Sequence, residues 1–188
     1  WEGMKIDWNV TKGTVVGLYT LIADGVRGEG SLSTVSGPVG MVGIVGDYYV
    51  PEFIDKFEYK SLLNNHKDIE SILYDSDLGI LVKLFNFILK DTTTQVKRNI
   101  NILLNIEDPY DILEQKSPKG KFLFNYYEKI NKEYKKLLVN AKKNISNDKL
   151  LLFVYPDNKL SFSASLSEEL KYLYPDKLVI VARQKEDY

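Results

Sequence analysis

Between Lys121 and Ile145 the apolar residues fall at Leu123, Tyr127, Ile130, Tyr134, Leu137, Leu138, Ala141 and Ile145. Steps of three and four put them in one stripe down a single long helix. About 25 residues of helix reach roughly 37 Å, enough to bridge two lobes. The pattern then switches. "KLLLFVYPD" (149–157) and "KLSFSAS" (159–165) read as a hairpin turned at "PDN". "LSEELKYLYP" reads as a helix and "KLVIVARQ" (177–184) as a buried strand. The tail is therefore α/β, with its boundary near 144–148, and it reads as an unfinished unit.

Upstream of the long helix, residues 51–115 are expected to be mainly helical, in the segments "PEFIDKF", "YKSLLNNHKDIESILYD", "LGILVKLFNFILK", "TTQVKRNINILLN" and "DPYDILEQ". Asp91 with Thr92 to Thr94, and Asp108 before Pro109, are the expected starts of the last two. "GTVVGLYTLIAD" (13–24) reads as a short helix ended by the Gly-rich "DGVRGEGS". Ser36 is the expected N-cap of the next segment, with Pro38 in its first turn. There Gly40, Gly43 and Gly46 fall one per helical turn, on a face where a neighbour can approach closely. A buried strand is the alternative reading of that segment.

Composition excludes several classes. With 188 residues, 44% hydrophobic and 27% charged, the chain suits one or two small folded domains. A formal net charge of −1 gives no overall field that marks a nucleic-acid or membrane binder. The absence of cysteine removes thiolate metal sites and fits a reducing, cytoplasmic setting. The single histidine, His66, removes any multi-histidine cluster within this sequence and is expected on a solvated helix face. No apolar run is long enough to span a bilayer, so no membrane partner is expected. The first residue is Trp, which fits either a start at Met4 or a piece of a longer chain.

Three polar features carry chemistry. Asp47 ends the small-residue run "VGIVGDYYVP" and is either a turn residue or a ligand. An acid at a helix C-terminus opposes the macrodipole and wants a cation. "DSD" (75–77) precedes an apolar helix and reads as its N-cap. From Lys116 to Lys149 ten lysines face only Glu128, Glu133 and Asp148, a local excess of +7. A solvated helix face and a track for a nucleic-acid backbone both account for it. Tyr126, Tyr127 and Tyr134 interleave with these lysines, and at least two of them belong to the apolar stripe. No P-loop, Rossmann fingerprint or nucleophile elbow is present, and "GVRGEG" (25–30) lacks the flanking strand and helix of a phosphate-binding loop.

The order of these features resembles the DHH phosphoesterase superfamily, specifically its archaeal RecJ-like nucleases. "VGMVGIVGDYYVP" is similar to the family's fourth motif, Gly-x-x-(Ala/Gly)-Asp, here Gly43 to Asp47. "LVKLFNFILKDTTTQVKRNINILLNIEDPYDIL" resembles the helical region that follows, with Asn86 and Lys90 near the family's Asn and Arg. The long basic helix matches the connector between lobes. "KLLLFVYPDNKLSFSASLSEELKYLYPDKLVIVARQ" resembles the opening of the associated C-terminal domain. The Asp-rich first motif, the acidic second motif, the Asp-His-His and the terminal Gly-Gly-His segment do not stand in this sequence.

The resemblance implies an α/β fold overall. Residues 1–115 would be the mostly helical rear of a catalytic lobe, 116–147 the connector, and 148–188 the start of an α/β substrate-binding domain. It implies a catalytic and metal-ligating role for Asp47, toward one of two Mn²⁺ or Mg²⁺ ions. It also implies contacts from Lys90, Lys129, Lys132 and Lys136 to single-stranded DNA or RNA. Without the other motifs the chain alone is expected to be inactive. Two other roles fit the family: a non-catalytic scaffold that binds replication-complex proteins, and a phosphodiesterase of oligonucleotides or cyclic dinucleotides.

Overall fold

Proline and short polar side chains set most helix starts, and a computed structural model shows how, describing residues 38–156 and 160–184. The chain divides into two compact units, one ending at Lys83 and one beginning at Leu84.

In the first unit, α1 (Pro38–Gly46) begins at its proline. The segment with the spaced glycines is thus a helix and not a strand. Ser36, the helix expected over 13–24 and the "GVRGEG" loop lie outside the described residues. Two 3-10 turns follow, Glu52–Lys56 and Lys60–Leu63, then α2 (Ile69–Asp75). The expected single helix through "YKSLLNNHKDIESILYD" is broken because Asn64 and Asn65 adopt left-handed conformations, with φ of 51° and 66°. Asparagine tolerates that region and stops helix propagation. His66 follows them in the turn, half-buried, and not on a helix face as expected.

Asp68 restarts the helix by accepting from the Ser71 amide at 2.8 Å. In "DSD" the capping atom belongs to Ser76, which accepts from the Gly79 amide at 3.1 Å and opens α3 (Asp77–Ile88). The Asp77 amide donates to Asn64 Oδ1 at 2.7 Å, tying the left-handed turn to this start. Met41, Val42, Val45, Phe57, Leu62, Ile72, Leu78 and Leu81 form the unit's core.

The second unit holds the end of α3, α4 (Thr93–Leu103), α5 (Pro109–Leu113), α6 (Pro118–Lys143), β1 (Leu150–Tyr155), α7 (Ser163–Leu173) and β2 (Leu178–Arg183). Asp108 caps α5 by accepting from the Tyr110 amide at 3.0 Å, with Pro109 next in line. Ser117 caps α6 in the same way, on the Gly120 amide at 3.0 Å. The long helix therefore starts a turn earlier than its apolar stripe. It runs 26 residues, about 39 Å. Leu123, Tyr127, Ile130, Tyr134, Leu138 and Ala141 are buried along it.

The strands are parallel, in register from Leu150 beside Leu178 to Tyr155 beside Arg183. The crossover between them contains α7, so the tail is a βαβ unit and the expected hairpin does not form. The Tyr155 hydroxyl accepts from the Phe162 amide at 3.0 Å and pairs with Ser163 Oγ at 2.9 Å. Those bonds hold the segment at the start of α7, with Phe162, Leu166 and Leu170 buried behind it. Leu151, Phe153 and Tyr155 of β1 point inward; Leu150, Leu152 and Val154 point outward beside Leu178 and Ile180 and stay exposed. The fold is α/β overall and mostly helical, with one small parallel sheet among the described residues.

An aromatic cluster joins the helices to the βαβ unit. Phe87 of α3 lies 5.9 Å from Tyr127, 5.4 Å from Tyr134 and 5.7 Å from Phe162, ring centre to ring centre. Tyr134 and Phe162 meet edge-on at 5.7 Å. The Tyr134 hydroxyl donates within reach of Glu169 Oε2, at 2.7 Å, and of the Ser165 carbonyl oxygen, at 3.0 Å.

Candidate nucleic-acid interface

The face of α6 opposite the buried stripe is open to solvent. Asn125, Lys129, Lys132, Lys135, Lys136 and Asn140 share it over four turns, with Glu128 and Val139 among them. Spacing of three and four keeps Lys129, Lys132 and Lys136 in one row, offset along the axis by about 4.5 and 6 Å. Lys136 pairs with Glu133 at 3.0 Å, both side chains more than half exposed. Such a pair contributes little to stability and gives way readily to another anion. Lys129 stands near enough to Asp91 to help hold that carboxyl below its usual range. Asn131 borders the row from inside, where its Nδ2 donates to Glu128 at 3.3 Å and its buried Oδ1 has no partner among the described residues.

One end of the row carries aromatic rings. Phe122 and Tyr126, one turn apart, lie nearly parallel at 22° with centres 6.5 Å apart. Arg98 of α4 places its guanidinium 4.7 Å from the centre of the Phe122 ring. The Tyr126 hydroxyl donates to the Asp91 carboxylate. That bond, with the Thr92 amide at 2.6 Å, lowers the Asp91 pKa. Burial and then Asp91 push the Tyr126 phenol up to about 12. Of the three tyrosines interleaved with the lysines, Tyr127 and Tyr134 are core and Tyr126 is half-buried at the surface. Sequence spacing had no means of finding Arg98 beside Phe122, since the two come from different helices.

Lys90 is placed differently from the α6 lysines. Its Nζ donates to the Ser161 carbonyl oxygen at 3.0 Å and lies 5.8 Å from the Phe162 ring. Burial lowers its pKa, and Glu168 opposes the shift. Burial raises Glu168 in turn, with Lys90 holding it back. The structure thus brings Lys129, Lys132 and Lys136 onto one face and turns Lys90 onto the start of α7.

Asp47 belongs to the first unit, at the residue that closes α1. The Tyr49 amide reaches the Ile44 carbonyl oxygen at 3.3 Å and the Tyr48 amide reaches that of Val45 at 3.0 Å. This is a Schellman ending, and Tyr48 supplies its left-handed residue with φ of 62°. A non-glycine residue there costs about 1 kcal/mol. The Tyr48 and Tyr74 hydroxyls lie 2.5 Å apart and help to fix the turn. Asp47 is exposed, and partial burial raises its carboxyl pKa. Among the described residues no group of three or more His, Asp or Glu could hold a metal ion. A single carboxylate does not by itself fit a centre of two cations.

Compared with known proteins, the chain matches no family model, no curated protein and no solved structure. Among the described residues no helix is long and apolar enough to cross a membrane.

Proposed function

We propose that this chain is the rear part of a RecJ-like, metal-dependent phosphodiesterase, and that α6 holds the backbone of a single-stranded DNA or RNA substrate. The row of Lys129, Lys132 and Lys136 on the open face of α6 carries the reading. Three ammonium groups on a rigid rod neutralise successive phosphates and release the counterions condensed on them. Ammonium groups on flexible stems follow a mobile strand without fixing its sequence. The order of elements supports the family: a small-residue helix ending in an acid, a helical region, a long basic helix, then a βαβ unit.

In this reading Asp47 is one ligand of a set completed by residues outside those described. The cations of such a set lower the pKa of a bound water and clamp the phosphoryl oxygens. The part of this chain is to hold the strand, and by itself it is expected not to hydrolyse it.

The test is the salt dependence of binding. Affinity for a single-stranded oligonucleotide is measured across salt concentrations for the chain and for Lys129→Gln/Lys132→Gln/Lys136→Gln. Loss of three phosphate contacts lowers the slope of log affinity against log salt by about 2. An unchanged slope overturns the assignment of the row to the backbone. A shallow slope in the parent chain favours small phosphodiesters as substrates instead.

A further inference from the structure

Phe122 and Tyr126 differ from Tyr127 and Tyr134 of the same helix. Tyr127 and Tyr134 are buried in the core, whereas Phe122 and Tyr126 are half-buried at the edge of the open face. Their positions continue the lysine row: from Phe122 to Tyr126 to Lys129 each step is about one helical turn. Arg98, exposed on α4, makes no ion pair among the described residues and lies against Phe122. A guanidinium plane and two near-parallel rings thus stand at the end of a cationic track.

We propose that Arg98, Phe122 and Tyr126 form a base-stacking ledge for single-stranded nucleic acid, beside the lysines that hold its backbone. Stacking on aromatic and guanidinium faces is how proteins engage unpaired bases without reading sequence. The ledge also sets which side of the strand faces it. Asp91, bonded to the Tyr126 hydroxyl, places a negative charge at the ledge. Arg98 and Lys129 stand close enough to offset that charge, while Lys129, Lys132 and Lys136 attract the phosphates further along. The separation of flat faces from ammonium groups along α6 orients the strand, bases over the rings and backbone over the lysines. A duplex, whose bases are already stacked and paired, gains nothing from the rings.

This inference rests on the backbone reading of α6, and the experiment separates the two. The full chain is titrated with a fluorescent single-stranded deoxyadenylate of about ten nucleotides and with an abasic oligomer of equal charge. The expected result is binding of both, with the base-bearing strand about tenfold tighter. Phe122→Leu removes that preference while leaving the salt slope unchanged. Arg98→Lys, which keeps the charge and loses the flat face, weakens the preference and guards against a Phe122 variant that fails to fold. Equal affinity of the parent chain for the two strands overturns the ledge and leaves the backbone track standing. Retention of the preference in both variants overturns it as well. Binding of neither strand overturns both.

Discussion

Asn99, fully buried on α4, donates its side-chain amide to the Ile88 carbonyl oxygen at 2.9 Å and so closes the end of α3. Its Oδ1 accepts from Gln95 at 3.0 Å, which satisfies both ends of the amide. Asn99→Ala leaves the Ile88 carbonyl buried and unpaired. The expected loss is about 1–3 kcal/mol in urea unfolding. Asn99→Asp, which cannot donate, is expected to cost at least as much at neutral pH.

Gly120 sits in the first turn of α6 against the backbone of α5. A Cβ there would lie 2.8 Å from the Asp111 carbonyl carbon and closer still to its oxygen. Alanine normally stabilises a helix by about 1 kcal/mol relative to glycine. At this position the sign reverses, because the atom met is main chain. Gly120→Ala is expected to lower stability by about 1–3 kcal/mol, measured by denaturant titration.

The Tyr126–Asp91 bond predicts two pH limits. The phenol pKa is raised in the folded state, to about 12. Its contribution is therefore whole below about pH 10 and is lost as pH climbs through about 12. Asp91 is shifted the other way, first by Tyr126 and then by the Thr92 amide. Its contribution is whole above the ordinary carboxylate range and is lost as pH falls through the lowered value. Tyr126→Phe flattens both limbs of the stability profile, and ultraviolet titration loses one late-ionising phenol.

Lys90 is expected to act on stability more than on binding. Its lowered pKa means that the unfolded chain holds the proton more tightly in the window just below the ordinary lysine value. Within that window stability rises with pH. Lys90→Met keeps the stem, removes the charge and abolishes that rise. With the ammonium already committed to Ser161, the salt slope for nucleic-acid binding is expected to fall by far less than in the triple α6 variant.

The outward face of the sheet predicts solution behaviour. Leu152 is 52% exposed and Leu178 is 66% exposed, on a parallel sheet of a kind normally covered on both faces. Leu152→Lys with Leu178→Lys is expected to reduce self-association in light scattering at unchanged unfolding midpoint. A lowered midpoint would mean that the face is covered in solution.

Much of this was readable from residue types. Asp108-Pro109 and Pro38 marked helix starts because proline at the first position and short acceptors before it have one use there. The stripe of α6 followed from periodicity, and the existence of the final strand followed from its β-branched run, but β2 is half-buried to exposed and not the buried strand that run suggested. What escaped depended on partners far along the chain. The two asparagines after Leu63 split a helix by adopting left-handed backbone, a choice that polar composition alone does not force. "KLSFSAS" alternates like a strand, yet the Tyr155 hydroxyl and the core pocket for Phe162 draw it toward α7. The lysine row was visible as a charge excess. The ring and guanidinium beside it were not, because α4 meets α6 only in three dimensions.

The aromatic cluster has a kinetic meaning as well. Phe87, Tyr127, Tyr134 and Phe162 come from segments separated by most of the second unit's length, so none can finish its packing until the whole stretch has come together. Contacts of such range slow the search for the native state. They also deny it partial stops: the helical stretch and the βαβ stretch share buried rings, so the two are expected to unfold in one transition.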